Sequence, residues 1–189
     1  MSIMTADELT AADIKNRIRL SVPWAPEITA MSSAIATAVA RANGPVTECM
    51  IAAIARRETN FQNILQIGVP PGPGCGVGPC QITANVDWSD PREPRYPGIG
   101  ELLLPENNFY VAIKFFLEPA LVQFPDSHQA AFDAFNLGAG GVAGELSSGE
   151  SPDTLTTGGD YGRDVFKNWV TLIAASTGTT PDFSTWKPQ

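Results

Sequence analysis

The sequence predicts a mainly α fold, a helical bundle with a Gly-rich loop or small hairpin set into it. Three observations carry that prediction. Apolar residues recur at three- and four-residue spacing in successive segments, the period of a helix with one buried face. Neither a strand-helix alternation nor an internal repeat interrupts them. Gly and Pro instead concentrate between residues 62 and 106, where apolar and aromatic residues are interleaved, the composition of ordered loops rather than of a linker. With 189 residues, 43% apolar and 17% charged, the chain is large enough to bury one core.

The elements follow in order. "TADE" (Thr5 to Glu8) fits a capping box that opens a short helix through about Ile18, and Pro23 and Pro26 forbid its continuation. Residues 1–25 therefore read as an N-terminal arm or appended helix, and 26–189 as the main domain. Ile28, Met31, Ile35, Val39 and Ala42 define the next helix, which Gly44 is placed to stop. A helix from about Pro45 to Glu58 carries Met50, Ile51, Ile54 and Ala55 on its core face. A short hairpin is expected around Val77 and Ile82. Phe109, Ile113, Phe116, Leu117, Ala120, Leu121 and Phe124 form a long stripe with a kink expected at Pro119. "SHQAAFDAFN" (Ser127 to Asn136) makes another helix, ended by "LGAGG". The last begins near Asp160 and buries Tyr161, Val165, Trp169, Leu172 and Ile173.

Charge and cysteine usage exclude several function classes. A net charge of -8 with a pI near 4.5 and scattered basic residues leaves no patch to displace the counterions of a nucleic acid. No run reaches the roughly 20 apolar residues of a membrane span, and the N-terminus lacks a basic start followed by an apolar stretch, so neither a span nor a secretory signal is expected. Cys49, Cys75 and Cys80 are an odd count. Cys75 and Cys80 can close a small loop, Cys49 reads as a buried thiol, and with His128 the only histidine no metal or other cofactor is expected. His128 reads as a helix-start residue and Trp169 as core. The glycines from 138 to 144 follow no strand, which argues against a phosphate-binding loop.

One carboxylate stands apart. Glu58 lies four residues after Ile54, on the apolar face and at the C-terminal end of its helix. Desolvation and the negative end of the helix dipole both disfavour its charged form, the condition for a general acid near neutral pH. The alternative is a carboxylate paired with Arg56 or Arg57, or solvated past a frayed helix end.

Four fragments in register resemble the goose-type lysozymes and the related lytic transglycosylases of the lysozyme superfamily. "IAAIARRETNF" is similar to the family's helix ending in Arg-Glu-Ser, with Thr59 for the serine. "GCGVGPCQIT" (Gly74 to Thr83) resembles its Gly-rich hairpin, "FDAFNLGAGGV" (Phe132 to Val142) its Tyr-Asn-Ala-Gly-x-Gly-x-Val segment, and "TTGGDYGRDVFKNW" (Thr156 to Trp169) the start of its last helix. Order and spacing agree over roughly residues 26 to 175. The resemblance implies an α+β lysozyme-like fold with a saccharide cleft. It implies cleavage of the β-1,4 bond between N-acetylmuramic acid and N-acetylglucosamine in bacterial peptidoglycan, by hydrolysis or lytic transglycosylation. Glu58 matches the catalytic acid. Gln81 and the segment Gly76, Val77, Gly78 and Cys80 would line the glycan cleft, Phe135, Asn136 and Gly138 would shape its far wall, and Tyr161 would approach the acid. Trp88 is the one tryptophan in a loop beside the expected cleft.

The departures bear on mechanism. Phe135 replaces the family's tyrosine, and Pro79-Cys80 replaces its Leu-Met. Of the aspartates that goose-type enzymes carry near the Gly-rich segment, one has no match and the other falls on Thr83, leaving Asp87 as the nearest second carboxylate. These losses motivate a second expectation, a non-catalytic glycan-binding or structural module of a phage particle. A signal-less lysozyme-like chain suits delivery as a phage endolysin, as a virion component contacting other virion proteins, or as a secreted effector.

Overall fold

A computed structural model describes residues 25–72, 74–84 and 98–177, and the architecture is mainly helical. The expectations for the N-terminal helix, for Pro23 and for Trp88 and Asp87 lie outside the described residues. Helices α1 (Ala25–Ala42) and α2 (Glu48–Thr59) come first, followed by a hairpin of β1 (Gly76–Val77) and β2 (Ile82–Thr83). Then come α3 (Ile99–Leu102), α4 (Pro105–Val111), a π-helical segment (Ala112–Leu117), α5 (Glu118–Gln123), α6 (His128–Leu137), α7 (Ala139–Ser147) and α8 (Tyr161–Thr177).

The core is organised around α2. Every residue from Cys49 to Ala55 is buried, not only the expected stripe, because Ala52 and Ala53 let neighbouring helices approach on the second face. α8 packs on both α2 and α6, and α1 packs on α4. Trp169 is fully buried at the centre of the α8 contact, with Phe132 and Phe166 edge-on and the His128 ring stacked on it at 4.9 Å. His128 thus serves as a first-turn packing residue.

Several boundaries differ from the sequence reading. α2 starts at Glu48 rather than Pro45, because the Thr47 hydroxyl accepts a hydrogen bond from the Met50 N–H and caps the helix. α1 is ended by Asn43, which takes the left-handed conformation (φ 51°), and Gly44 serves instead to admit the Glu118 carboxylate, which any Cβ there would overlap. The disruption expected as a kink at Pro119 takes the form of the π-helical segment before it. There the Glu118 N–H bonds the Ile113 carbonyl, the wider turn of a π-helix, immediately before a proline that has no N–H to give. The "LGAGG" stretch does end α6, at Gly138 (φ 79°), but a further helix, α7, starts immediately. Cys75 and Cys80 are free buried thiols, as is Cys49, so the small loop is held without a bridge.

Candidate active site

The end of α2 is built to stop abruptly. Asn60 (φ 54°) and Phe61 (φ 63°) are consecutive left-handed residues without being glycine, and the Phe61 N–H returns to the Ala55 carbonyl at 3.1 Å. A phenylalanine pays strain in that conformation, and its nearly complete burial in the main core holds it there. The turn directs the chain back along the hairpin. Leu65 forms a bridge to Val77, and the Thr59 hydroxyl donates to the Pro79 carbonyl at 2.9 Å, tying the acid-bearing helix end to the hairpin tip.

The hairpin itself is held by two amides. Asn108, fully buried on α4, donates to the Val77 carbonyl (2.7 Å) and accepts from the Cys80 N–H (2.9 Å), spanning the turn from within the core. Gly78 (φ 74°) lies against this amide with no room for a Cβ. Gln81 donates to the carbonyls of Gly78 (2.9 Å) and Ile64 (3.3 Å), so its side chain braces the loop from the other side.

Opposite the hairpin, the Glu58 carboxylate accepts a short hydrogen bond from the Tyr161 hydroxyl on the first turn of α8. Burial pushes the Glu58 pKa up from the ordinary carboxylate value, against smaller downward effects of the Tyr161 hydrogen bond and the Arg57 charge. The same burial and the neighbouring carboxylate push up both the Tyr161 phenol and the Cys80 thiol, which therefore stay protonated. Arg57 does not pair with Glu58 as an ion pair. Its guanidinium bonds Asp160 (2.8 Å) and the Thr157 carbonyl (3.0 Å) and approaches Asp164 at 3.5 Å, clamping the start of α8 to the end of α2.

Glu58 opens into a cleft of about 500 Å³ between the hairpin and the helices. Gly76 and Gln81 line it on the hairpin side, Phe135 and Asn136 on the far side, and Tyr161 beside the acid. Val77, Gly78 and Cys80 do not line it. Strand alternation turns Val77 into the core, Gly78 packs on Asn108, and Cys80 is fully buried. Gly138 does not line it either, since it lies at the turn into α7. Beyond the residues assigned to it from the sequence, the cleft is lined by Phe116, whose ring lies 5.4 Å from that of Phe135, by the polar Gln66 and Thr157, and by Thr83, which in the sequence stood out only as lacking a carboxylate. Asn136 accepts from the Thr157 N–H at 3.0 Å, so the far wall and the Arg57 clamp share one loop. Among the described residues Glu58 is the only carboxylate in the cleft lining.

A second set of acids, unnoticed in the sequence, lies behind Tyr161. Asp133 of α6 and Asp153 are both buried and both accept from the Gly162 N–H, at 2.6 and 2.8 Å. Asp153 also accepts from Gln129 (2.7 Å) and from the Arg163 N–H (3.3 Å), and Glu145 of α7 accepts from the Leu155 N–H. Burial first, and then the proton-bonded and charged Asp153 beside it, raise the Asp133 pKa to about 9. Among the described residues there is no cluster of three side chains suited to a metal ion, and no helix long and apolar enough to cross a membrane. No family model and no curated protein matches the chain.

Proposed function

We propose that the chain is a peptidoglycan-cleaving glycosidase in which Glu58 is the general acid. The observation that carries this reading is the pairing of a desolvated, raised-pKa carboxylate with a cleft whose hairpin edge is Gly76 and the polar side chains of Gln81 and Thr83. The carboxyl donates its proton to the glycosidic oxygen as the bond from that oxygen to the anomeric carbon breaks, and the positive charge developing on the sugar meets the new carboxylate. Tyr161 keeps the donor oriented, and the side chains of Gln66, Gln81, Asn136 and Thr157 offer amide and hydroxyl partners suited to the N-acetyl and hydroxyl groups of an amino-sugar chain. Phe116 and Phe135 supply an apolar face for a sugar ring. The resemblance of the four sequence fragments to the goose-type lysozymes and lytic transglycosylases supports the same substrate and a lysozyme-like fold.

Glu58, the one carboxylate of the cleft lining among the described residues, suits lytic transglycosylation, where the substrate's C6 hydroxyl attacks the anomeric carbon and returns its proton to the same carboxylate. Hydrolysis with inversion instead calls for a second carboxylate about 6.5–9.5 Å away to activate water. Mass spectrometry of fragments released from purified peptidoglycan, with Glu58→Gln as control, tests both levels. Glu58-dependent fragments establish the glycosidase, and a 1,6-anhydro end, lighter than a reducing end by one water, identifies the transglycosylase. Binding to sacculi without any fragment release would replace this reading by the glycan-binding module.

A further inference from the structure

We propose that Asp133 and Asp153 share one proton and together act as a positioning device, gripping the first turn of α8 so that Tyr161 is held on Glu58. The inference rests on the reading above for the use that Glu58 makes of Tyr161, while its geometry stands independently.

A single backbone donor, the Gly162 N–H, lies within hydrogen-bond distance of an oxygen of each carboxylate. Two ionised carboxylates converging on one N–H in the interior would repel each other with one donor between them. The second Asp133 oxygen is buried and accepts no hydrogen bond among the described residues. An ionised oxygen there is unfavourable, whereas a protonated one directed at Asp153 satisfies both groups. Among the described residues, no cationic side chain bonds either carboxylate. Glu145 from α7 adds negative charge, Gln129 from α6 donates an amide proton to Asp153, and α8 contributes the N–H groups of Gly162 and Arg163. The helix start is thus matched to the pair as a positive dipole end with free N–H groups.

The grip transmits directly to the site. Gly162 follows Tyr161 in the chain, and a Cβ at 162 would overlap the Asp133 carboxylate, so backbone and acid are in closest contact there. On the other side the Thr156 hydroxyl donates to the Asp153 carbonyl (2.8 Å) and accepts from the Tyr161 N–H (3.3 Å). Tyr161 is therefore flanked on both sides by bonds that end on Asp133 or Asp153. Its phenol donates to the Glu58 carboxylate.

The test is a titration of the full-length protein carrying 13C-labelled carboxyl groups, followed by NMR from about pH 4 to about pH 10. In the wild type an aspartyl carboxyl is expected to titrate near 9, and Asp133→Asn, which can donate to Asp153 as the protonated acid does, should remove that transition while leaving the Glu58 midpoint unmoved. Asp133→Ala should raise the Glu58 midpoint by about half a pH unit or more, in the same direction as Tyr161→Phe, and the double variant should add nothing further. All aspartates titrating below about pH 6, or Asp133→Ala leaving Glu58 in place where Tyr161→Phe moves it, would overturn the proposal. Should Asp133→Ala not fold, the wild-type and Asp133→Asn titrations decide alone. The carboxyl signals do not depend on glycan cleavage: absent fragments with these shifts would sink only the glycosidase, and released fragments without them only the acid pair.

Discussion

Glu58, half-buried, and Asp133, fully buried, both have pKa values raised by desolvation, yet they face opposite ways. Glu58 ends a helix at the edge of an open cleft, stands alone among the described acids there, and meets one neutral donor, Tyr161. Asp133 lies mid-helix, fully buried against a second acid and a backbone N–H. Desolvation raises the pKa of both groups. Only Glu58 is shown lining a cleft. A raised pKa alone therefore does not mark a candidate general acid; a raised pKa beside a cavity, without a competing carboxylate, makes one.

The sharpest way to break that contrast is to neutralise each acid separately. Glu58→Gln removes the transferable proton and should lower fragment release by about 10²–10⁴-fold, with thermal stability at neutral pH equal to or above wild type because a desolvated charge is no longer demanded. Equal activity in this variant would erase the distinction between the two acids. Asp133→Asn should act on stability instead. Its carboxyl moves from the reference 3.8 in the unfolded chain to about 9 in the fold, so it is protonated when folded and ionised when unfolded across that window. Its stabilising contribution is therefore complete below about pH 4 and is lost as pH rises to about 9, at a limiting slope of about 1.4 kcal/mol per pH unit. Denaturation curves of the wild type should decline across this range more steeply than those of Asp133→Asn. Parallel curves would show that Asp133 is an ordinary carboxylate.

The same contrast explains what was legible in the sequence. The helices with sustained apolar stripes, and Glu58 at the end of one, could be read because period and position are local properties. α7 could not, since three glycines in "AGGVAGELS" weaken its helical propensity; Val142, buried in a small cluster with α6, and Glu145, bonded to Leu155, supply the tertiary reasons for it to form. Phe116 belongs to a helical apolar stripe, and nothing in that period tells a core position from a cleft wall one turn away. Asp133 gave no signal, since its partners Asp153 and Gly162 come from a distant loop and helix. Asn108 was silent for the same reason: its two hydrogen bonds reach across to a hairpin far earlier in the chain.

Asn108 separates the site's support from its chemistry. Asn108→Ala leaves the Val77 carbonyl and the Cys80 N–H without their buried partner, at a cost of about 1–3 kcal/mol in denaturant unfolding. Glu58 is untouched by the change, so substrate affinity should weaken more than the rate at saturation, as the hairpin edge loosens. A loss confined to the saturated rate would mean that the hairpin orients the acid itself.

The finest discrimination comes from Thr59, where hairpin and acid meet. Its hydroxyl donates to the Pro79 carbonyl, one bond joining the residue after the acid to the tip of the loop. Thr59→Val keeps the branched shape and removes that bond, which should lower stability by about 0.5–1.5 kcal/mol. Thr59→Ser keeps the donor and should restore most of it. If the bond holds only the hairpin, Thr59→Val will raise KM and leave the pH dependence of cleavage unchanged. If it also fixes the depth at which Glu58 is buried, its loss admits water to the carboxylate. Desolvation is the largest cause of the raised pKa, so the midpoint would then fall and the alkaline limb of the rate profile would move to lower pH. The direction of that limb, measured on Thr59→Val against Thr59→Ser, decides whether the helix end or the hairpin sets the acid's environment.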